Sequence, residues 1–405
     1  MLSKALHNSV FSSVSKSQPS APDDGDARSI QFFTTCPEAW GGSEELWAGA
    51  ARRLVQQGYR VNAHLSFLDP NHPEVVSLLE SGVRIERYRG IPFLSRYRGF
   101  GNRWEPTFTI ARLRALRPLM AVISQGENMD GFRQIHYCKQ AQIPYVLICQ
   151  KAMDDVWPMD EHRSNIRASF NDALRVFFVS EHNRTITEEQ IGQKLPNAEV
   201  VHNPFKVDYN VKLAWPESPS GGLRLACVAR LWTRDKGQDI LLRTLALKKW
   251  RERDLQVDFF GNGPNEAALR DFAQMLGITD KAHFCGFSRD VTEIWRQHHA
   301  LILPSRHEGL PLALVEALLC ARPAITTDAG GNTEVMQDEE TGFIARALTV
   351  GAIDDALERA WNRRHEWQKI GVNAARYVRR RMPEDPCGIF TEKIAAIYHE
   401  VEKAS

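Results

Sequence analysis

The chain reads as an α/β protein built on parallel sheets and divided into two domains, and three observations predict this. Apolar runs of strand length alternate with stretches of helical pattern, an order that implies βαβ units. In the second half, strand after strand runs into a glycine-bearing turn, and these turns fall on one edge of the implied sheet. The length, 405 residues, exceeds one ordinary core and fits two domains of about 180–200 residues each.

Residues 1–27 mix Ser, Pro, Asp and Lys without the apolar core of a signal peptide and read as a flexible tail. The first domain, 28–203, opens with a strand from Ile30 to Thr35. Gly41-Gly42 is the turn before a helix from Ser43 to Gln57, with Ser43 placed to cap it and Glu45 in its first turn. Val61 to Phe67, Val83 to Arg87, Leu119 to Ser124, Tyr145 to Cys149 and Arg175 to Val179 read as further strands. Helical patterns fill the gaps, notably Glu181 to Gln193. Residues 204–222, with Pro204, Pro216, Pro219 and Gly221-Gly222, form the linker.

The second domain, 223–382, begins with a strand from Leu223 to Arg230. Asp235-Lys236-Gly237-Gln238 then opens a helix running to about Trp250. Leu255 to Phe260 is a strand that ends in Gly261-Asn262-Gly263-Pro264, with Pro264 suited to the first turn of a helix. Ala282 to Gly286, Ala300 to Leu303 and Ala324 to Thr327 are strands, the last leading into Asp328-Ala329-Gly330-Gly331-Asn332. After Thr349 three helical stretches close the chain, the last from about Pro386.

Composition narrows the function classes. Apolar content of 43% and charge of 25% describe a soluble globular protein. A net charge of +1 argues against a dedicated nucleic-acid binder, whose affinity rests on many phosphate contacts. The seven cysteines are scattered and odd in number, so neither a disulfide framework nor a zinc site is indicated and a reducing cytosol is the default. No apolar run reaches the about 18 residues of a membrane span.

The most informative stretch runs from Pro304 to Glu316. It sets Glu308 and Glu316 on either side of a strand-to-helix join, with Glu308 and Gly309 at the carboxyl end of a strand, where open α/β sheets bind ligands. Gly309 lets backbone approach a ligand, and the helix start offers free N–H groups to an anion. Glu316 lies about two turns into a helix apolar almost all round, where a carboxylate is costly unless it meets polar partners. Two hydroxyl systems flanking a diphosphate would supply them. Taken alone, the spacing fits a chance pair of glutamates equally well, with Glu308 as an N-terminal helix charge.

The surrounding residues resemble the retaining glycosyltransferases of the GT-B fold, family 4. The match comprises Glu308 and Glu316, Arg230 with Lys236-Gly237, Gly261-Asn262-Gly263-Pro264, Phe284-Cys285-Gly286-Phe287, Pro304-Ser305 and Gly330-Gly331-Asn332-Thr333-Glu334. In the first half, Gly41-Gly42-Ser43-Glu44 and Asn203-Pro204 resemble the family's first turn and the close of its first domain. The resemblance is strong over about 223–345 and weak between Leu65 and Val176. It implies two Rossmann-like, doubly wound domains facing across a cleft, with 383–405 crossing back as a helix onto the first domain. The activity implied is transfer of a sugar from a nucleotide-diphosphate-sugar co-substrate to a saccharide or lipid-linked acceptor, with retention at the anomeric carbon. It implies no cofactor and no metal.

The same resemblance distributes roles. Arg230 and Lys236 hold the diphosphate, Arg as a planar fork and Lys as a mobile point charge. Glu308 faces the donor sugar together with backbone N–H groups of Gly309, Leu310 and Leu312, with Pro311, which has no N–H to give, shaping the turn. Glu316 takes the ribose hydroxyls, and Asn262 and Gly263 lie near the nucleotide. Phe287 lies near the base or is plain core. Gly41 and Gly42 let the first domain approach the diphosphate or acceptor. Many relatives carry a first-domain His near the anomeric centre; here the region reads Ser124-Gln125-Gly126-Glu127-Asn128, so Gln125 or Glu127 takes that place. His202 and His307 are the nearest histidines by motif.

For the acceptor the sequence offers one feature. Residues 84–117 hold nine arginines against two glutamates, with Tyr88, Phe93, Tyr97, Phe100 and Trp104 interleaved. Such a stretch suits a lipid diphosphate or an anionic membrane, giving a cytoplasmic protein peripheral on the inner face of the cytoplasmic membrane, or is an ordinary solvated loop. Two other readings of the chain stand beside the transferase: a GT-B-like epimerase, and a nucleotide-sugar-binding protein without catalysis. A dehydrogenase is disfavoured because no strand leads into Gly-x-Gly-x-x-Gly with a later ribose carboxylate.

Overall fold

A computed structural model describes residues 29–37, 40–87, 101–217 and 222–405. The expected tail 1–27, Tyr88, Phe93, Tyr97 and Phe100 of the basic stretch, the side chain of Trp104, and Pro219 and Gly221 of the linker lie outside the described residues. The first domain is a seven-stranded sheet: β1 (Ile30–Thr34), β2 (Val61–Leu65), β3 (Arg84–Arg87), β4 (Met120–Gln125), β5 (Tyr145–Cys149), β6 (Val176–Phe178) and β7 (Ala198–Val200). Its spatial order is β3-β2-β1-β4-β5-β6-β7. The second is six-stranded: β8 (Leu223–Val228), β9 (Leu255–Phe260), β10 (Ala282–Gly286), β11 (Ala300–Leu303), β12 (Ala324–Thr327) and β13 (Gly342–Ala345). Its order is β10-β9-β8-β11-β12-β13.

Among the described residues the pairings in both sheets are parallel, with Ile30 beside Met120 and Thr34 beside Ser124 in the first and Leu223 beside Leu255 in the second. Helices cover both faces, which is why β1, β4, β5 and β11 are buried along their whole length. The strand order reverses between β1 and β4, and again between β8 and β11. Each reversal opens a crevice outside the carboxyl ends of the strands, the usual ligand position in such sheets.

The closing helix, Pro386–Ala404, begins at an Asp385 cap whose side chain accepts from Gly388 N at 2.9 Å, with Pro386 at the first helical position. Phe390, Ile394, Ile397, Tyr398 and Val401 then fall on one stripe of the helix. They join the first-domain core with Trp47, Leu54 and Phe177. Phe390 meets Phe177 edge-on at 5.2 Å between centroids. In the second domain Trp250, Phe259 and Trp367 fill one face, and Trp295, Leu314 and Leu318 the other. Among the described residues no helix is long and apolar enough to cross a membrane.

Several local expectations need correction. Ser43 does not cap its helix: it sits in a short 3-10 turn, Gly42–Glu44, and its Oγ donates to Glu44 at 3.1 Å. The single helix expected from Asp235 to Trp250 is three pieces, Thr233–Lys236, Gln238–Leu245 and Lys248–Glu252. Gly237 breaks it with φ +61°, and a side chain there would lie 2.0 Å from the Pro304 carbonyl oxygen. Pro264 lies in a turn, and the following helix starts at Glu266. Strands β7 and β13 were not legible from the sequence.

Candidate donor site and its interdomain cleft

The carboxyl edge of the second sheet brings together residues far apart in sequence. Arg230 lies just beyond β8, exposed, with its guanidinium 5.1 Å from the Trp232 ring centroid. Lys236 ends the one-turn helix that follows, and its Nζ stands 2.7 Å from Glu308 Oε1. Glu308, only 4% exposed, also accepts from Ser305 Oγ at 2.6 Å. The loop that carries it is tied down beside the helix start: the Asp235 carbonyl accepts from Arg306 N at 2.7 Å and His307 N at 3.1 Å. Arg306 further grips Asp239 through two bonds of 2.9 and 3.1 Å.

After Gly309 the chain passes through Leu310 and Pro311 into the helix Leu312–Leu319, with Pro311 at its N-cap position. Glu316, also 4% exposed, faces the linker and accepts from Lys206 N at 2.9 Å. Burial drives its carboxyl up to about 7, against the Lys206 N–H and ammonium that favour the ion; Glu45 adds to the rise. Lys206 Nζ in turn pairs with Glu45 at 2.7 Å, and Trp40 Nε1 donates to Glu45 at 3.1 Å. Asn262 and Gly263 lie in the turn after β9, with the Asn262 carbonyl accepting from Leu231 N. Phe287, after β10, is 65% exposed, so it is not core.

The first domain closes on this surface. A side chain at Gly42 would approach Leu312 Cδ1 to 3.3 Å, so the Gly41-Gly42 turn abuts the donor-side helix start. Gly309 meets the other domain more closely: a Cβ there would lie 2.0 Å from the Gln150 carbonyl oxygen, which only glycine permits. Glu334 accepts from the backbone N–H groups of Glu181 and His182 at 3.1 and 2.8 Å, across the cleft at the start of the helix Glu181–Ile191. Lys151, just past β5, reaches Asp235 at 2.8 Å.

Two histidine and glutamine expectations change. Gln125 is fully buried, its amide donating to the Asp130 carbonyl at 2.6 Å and its Oε1 accepting from Cys149 Sγ, so it braces the loop after β4 and does not face the cleft. Glu127 is the more exposed neighbour and lies 3.5 Å from Lys151. His307 Nε2 stands 3.6 Å from Asp155. His202, its pKa lowered by burial, lines a cavity of about 460 Å³ with Leu310, Glu334, Tyr377, Arg380 and Arg381, next to the turn after Gly309. Sequence reasoning missed Lys151 and Asp130. Burial raises the Asp130 carboxyl to about 6, against hydrogen bonds from the Glu127 backbone and Thr35. The signal for Lys151 was present: it stands two residues past the apolar run Tyr145 to Cys149.

Comparison with known proteins fits this geometry. Residues 222–363 match the family model described as Glycosyl transferases group 1. The chain is 29% identical over 196 residues, 48% of its length, to an exopolysaccharide phosphotransferase of Streptomyces coelicolor, of which this covers 20%. It is 31% identical over 216 residues, also 48% of its length, to a GDP-mannose-dependent alpha-(1-6)-phosphatidylinositol monomannoside mannosyltransferase of Mycolicibacterium smegmatis, covering 55% of that protein. The chain thus spans about half the length or less of these curated relatives. Among solved structures, an Anabaena protein in complex with UDP-glucose superposes with TM-score 0.70 at 17% identity, covering 91% of this chain and 99% of that one. A sucrose-phosphate synthase from Thermosynechococcus elongatus gives 0.72 at 16% identity, covering 93% of this chain and 100% of that one. The fold is GT-B: two Rossmann-like parallel-sheet domains facing across a cleft.

Proposed function

We propose that the chain is a retaining glycosyltransferase of family 4 type, moving a sugar from a nucleotide-diphosphate-sugar to an acceptor hydroxyl in cell-surface polysaccharide, lipopolysaccharide or glycolipid synthesis. The observation that carries this reading is the convergence of Arg230, Lys236 and Glu308 on one crevice, with Glu316 buried beside the linker. Lys236 is paired with Glu308. A diphosphate entering between Arg230 and Lys236 draws that ammonium to its own oxygens and frees Glu308 for the hydroxyls of the donor sugar. The N–H groups at the start of the helix Leu312–Leu319 complete the contact.

In the transfer step the bond from the anomeric carbon to the diphosphate oxygen breaks, and its electron pair leaves with the diphosphate. The acceptor oxygen bonds to that carbon from the same face, and its proton passes to the departing phosphate oxygen. Retention follows from the shared face. Arg230 and Lys236 stabilise the charge that develops on the leaving oxygen, the kind of contribution that dominates such barriers when the cleft is dry. Glu316 accepts from the ribose hydroxyls, and exposed Phe287 with Asn262 and Gly263 lies toward the base. With two cations at the diphosphate, no metal is needed.

The test is a thermal-shift panel of UDP-, GDP-, ADP- and TDP-sugars, followed by transfer assays with the nucleotide that binds. The Anabaena structure holds UDP-glucose and the Mycolicibacterium relative is GDP-mannose-dependent, so these two donors come first. Nuclear magnetic resonance of the product reads the anomeric configuration. Absence of stabilisation and of donor turnover across the whole panel refutes the proposal, and donor conversion without any acceptor points to an epimerase. Peripheral binding at the inner face of the cytoplasmic membrane, through the basic stretch 84–117, rests on the sequence. Failure to float with anionic vesicles at low salt counts against it.

A further inference from the structure

Two lysine–carboxylate pairs stand side by side in the cleft, on consecutive residues. Lys236 pairs with Glu308 inside the second domain, and Asp235 pairs with Lys151 of the first. Lys151 is the second residue past the end of β5, so the parallel sheet delivers it to the crevice edge. Its side chain is only 16% exposed, whereas lysines usually extend to water. Two carboxylates face it, Asp235 at 2.8 Å and Glu127 at 3.5 Å. Burial would raise the Asp235 carboxyl, but the Lys151 hydrogen bond and the charges of Lys151 and Lys236 hold it below its ordinary value.

The backbone places Lys151 against the donor loop as well. The carbonyl of Gln150 is the oxygen that Gly309 alone can approach, and Asp235 is bonded to the loop carrying Glu308 through Arg306 N and His307 N. Lys151 is therefore fixed to residues 306–309 from both ends, by its own main chain and by its side chain.

We infer that Lys151 completes the donor site from the first domain: on closure its ammonium stands at the leaving diphosphate, with Asp235 as the residue that positions it. This rests on the transferase reading. A diphosphate beside Asp235 brings like charges together, a costly arrangement in a cleft shielded from water unless a cation lies between them. Lys151 is that cation. As the bond to the anomeric carbon breaks and the electron pair moves onto the diphosphate, Lys151 adds a third positive charge to those of Arg230 and Lys236. It does so only when the domains are closed, so donor chemistry is coupled to closure.

The alternative is that Lys151 and Asp235 merely clasp the domains, and four variants separate the two. Lys151→Ala and the neutral, one atom shorter Lys151→Gln are expected to lower kcat about 100-fold, the loss typical of one donor to a developing oxyanion. They weaken binding of UDP or GDP, whichever nucleotide the enzyme uses, while binding of the matching monophosphate is unchanged. Asp235→Ala leaves Lys151 free to meet the diphosphate and costs at most about fivefold, the scale of a single ion pair. The charge swap of Lys151→Asp with Asp235→Lys does not restore activity. Equal losses for Lys151→Ala and Asp235→Ala, with recovery in the swap, overturn the inference in favour of a clasp; so does wild-type kcat in Lys151→Gln. Wild-type protein inert toward every nucleotide sugar sinks the transferase reading itself, whereas an active wild type with silent Lys151 variants sinks only this one.

Discussion

Replacing Glu316 with Gln should make the empty protein more stable and the donor complex weaker. In the folded chain burial lifts the Glu316 carboxyl to about 7 from an ordinary 4.5. At about 1.4 kcal/mol per tenfold change in a proton equilibrium, the ionised form is disfavoured by about 3 kcal/mol relative to the unfolded chain. The sign follows from where the protons are. Below pH 4.5 both states are protonated and the carboxyl costs nothing; above pH 7 both are ionised and the folded state bears the full cost. Glu316 thus destabilises the empty protein increasingly as pH rises from 4.5 to 7. Glutamine keeps an oxygen for Lys206 N and never ionises, so Glu316→Gln should melt several degrees above wild type at pH 8, with most of that gain gone by pH 5. Nucleotide-sugar affinity should move the other way, falling about tenfold to a hundredfold, because hydrogen bonds to a charged acceptor are worth about 1.5–3 kcal/mol. Differential scanning calorimetry at the two pH values and isothermal titration with the donor read both effects. A variant that melts lower than wild type at pH 8, or that keeps wild-type donor affinity, would show that Glu316 is held for the fold and not for a ligand.

Three further outcomes follow from the same geometry. If Arg230 and Lys236 neutralise the diphosphate as proposed, donor turnover should be unchanged by a metal chelator; loss of activity that a divalent cation restores would refute this. Buried Asp258 receives bonds from His298 Nε2 at 2.9 Å and His283 Nδ1 at 3.0 Å, and from Arg224. Burial alone would raise its carboxyl, but those donors hold it well below the usual range. Its contribution is therefore complete above the ordinary carboxylate pKa of about 4 and is lost as pH falls below that value. Asp258→Ala should cost about 3–5 kcal/mol at pH 7, measured by urea unfolding, and the difference from wild type should shrink in acid. Phe390→Ala, which empties the seat of the closing helix against Phe177, should cost about 3–5 kcal/mol. Hydrogen exchange should show that loss in the first domain and not around β8 and β9.

The sequence made the second domain legible because its strands are short apolar runs closed by glycine or proline. The structure has Leu255–Phe260, Ala282–Gly286, Ala300–Leu303 and Ala324–Thr327 with the bounds the residues suggest. What stayed hidden has physical reasons. β7 is three half-buried residues, Ala198–Val200, at the sheet edge, too short and too mixed for a periodic signal. β13 begins with Gly342, which reads as a turn until the carbonyl of Ala324 is seen 2.4 Å from where a Cβ would lie. The helix after β8 looks continuous from its composition, and only the Pro304 carbonyl explains the break at Gly237. In the site, Glu308 and Glu316 are neighbours within one motif and could be read together. Lys151 and Asp235 are separated by 84 positions, and local pattern carries nothing about such a pair.

The paired charges also show how a protein of net charge +1 could receive the diphosphate of the proposed donor. No broad positive field is required if the cations are already in the cleft, each held by a carboxylate. Lys236 rests on Glu308, Lys151 on Asp235 and Lys206 on Glu45. Such pairs keep the cleft near neutrality, so a simple anion gains little by entering: it must break a contact of 2.7–2.8 Å and leave a buried or half-buried carboxylate without its partner. A nucleotide-sugar offers what a simple anion lacks. On the proposed reading its phosphates would take the ammonium groups while its sugar hydroxyls give Glu308 new donors, and the ribose would do the same for Glu316. The exchange becomes favourable only when both ends are present. If the transferase reading holds, inorganic phosphate and pyrophosphate should compete poorly with the donor, because the cleft would recognise the whole donor rather than its charge.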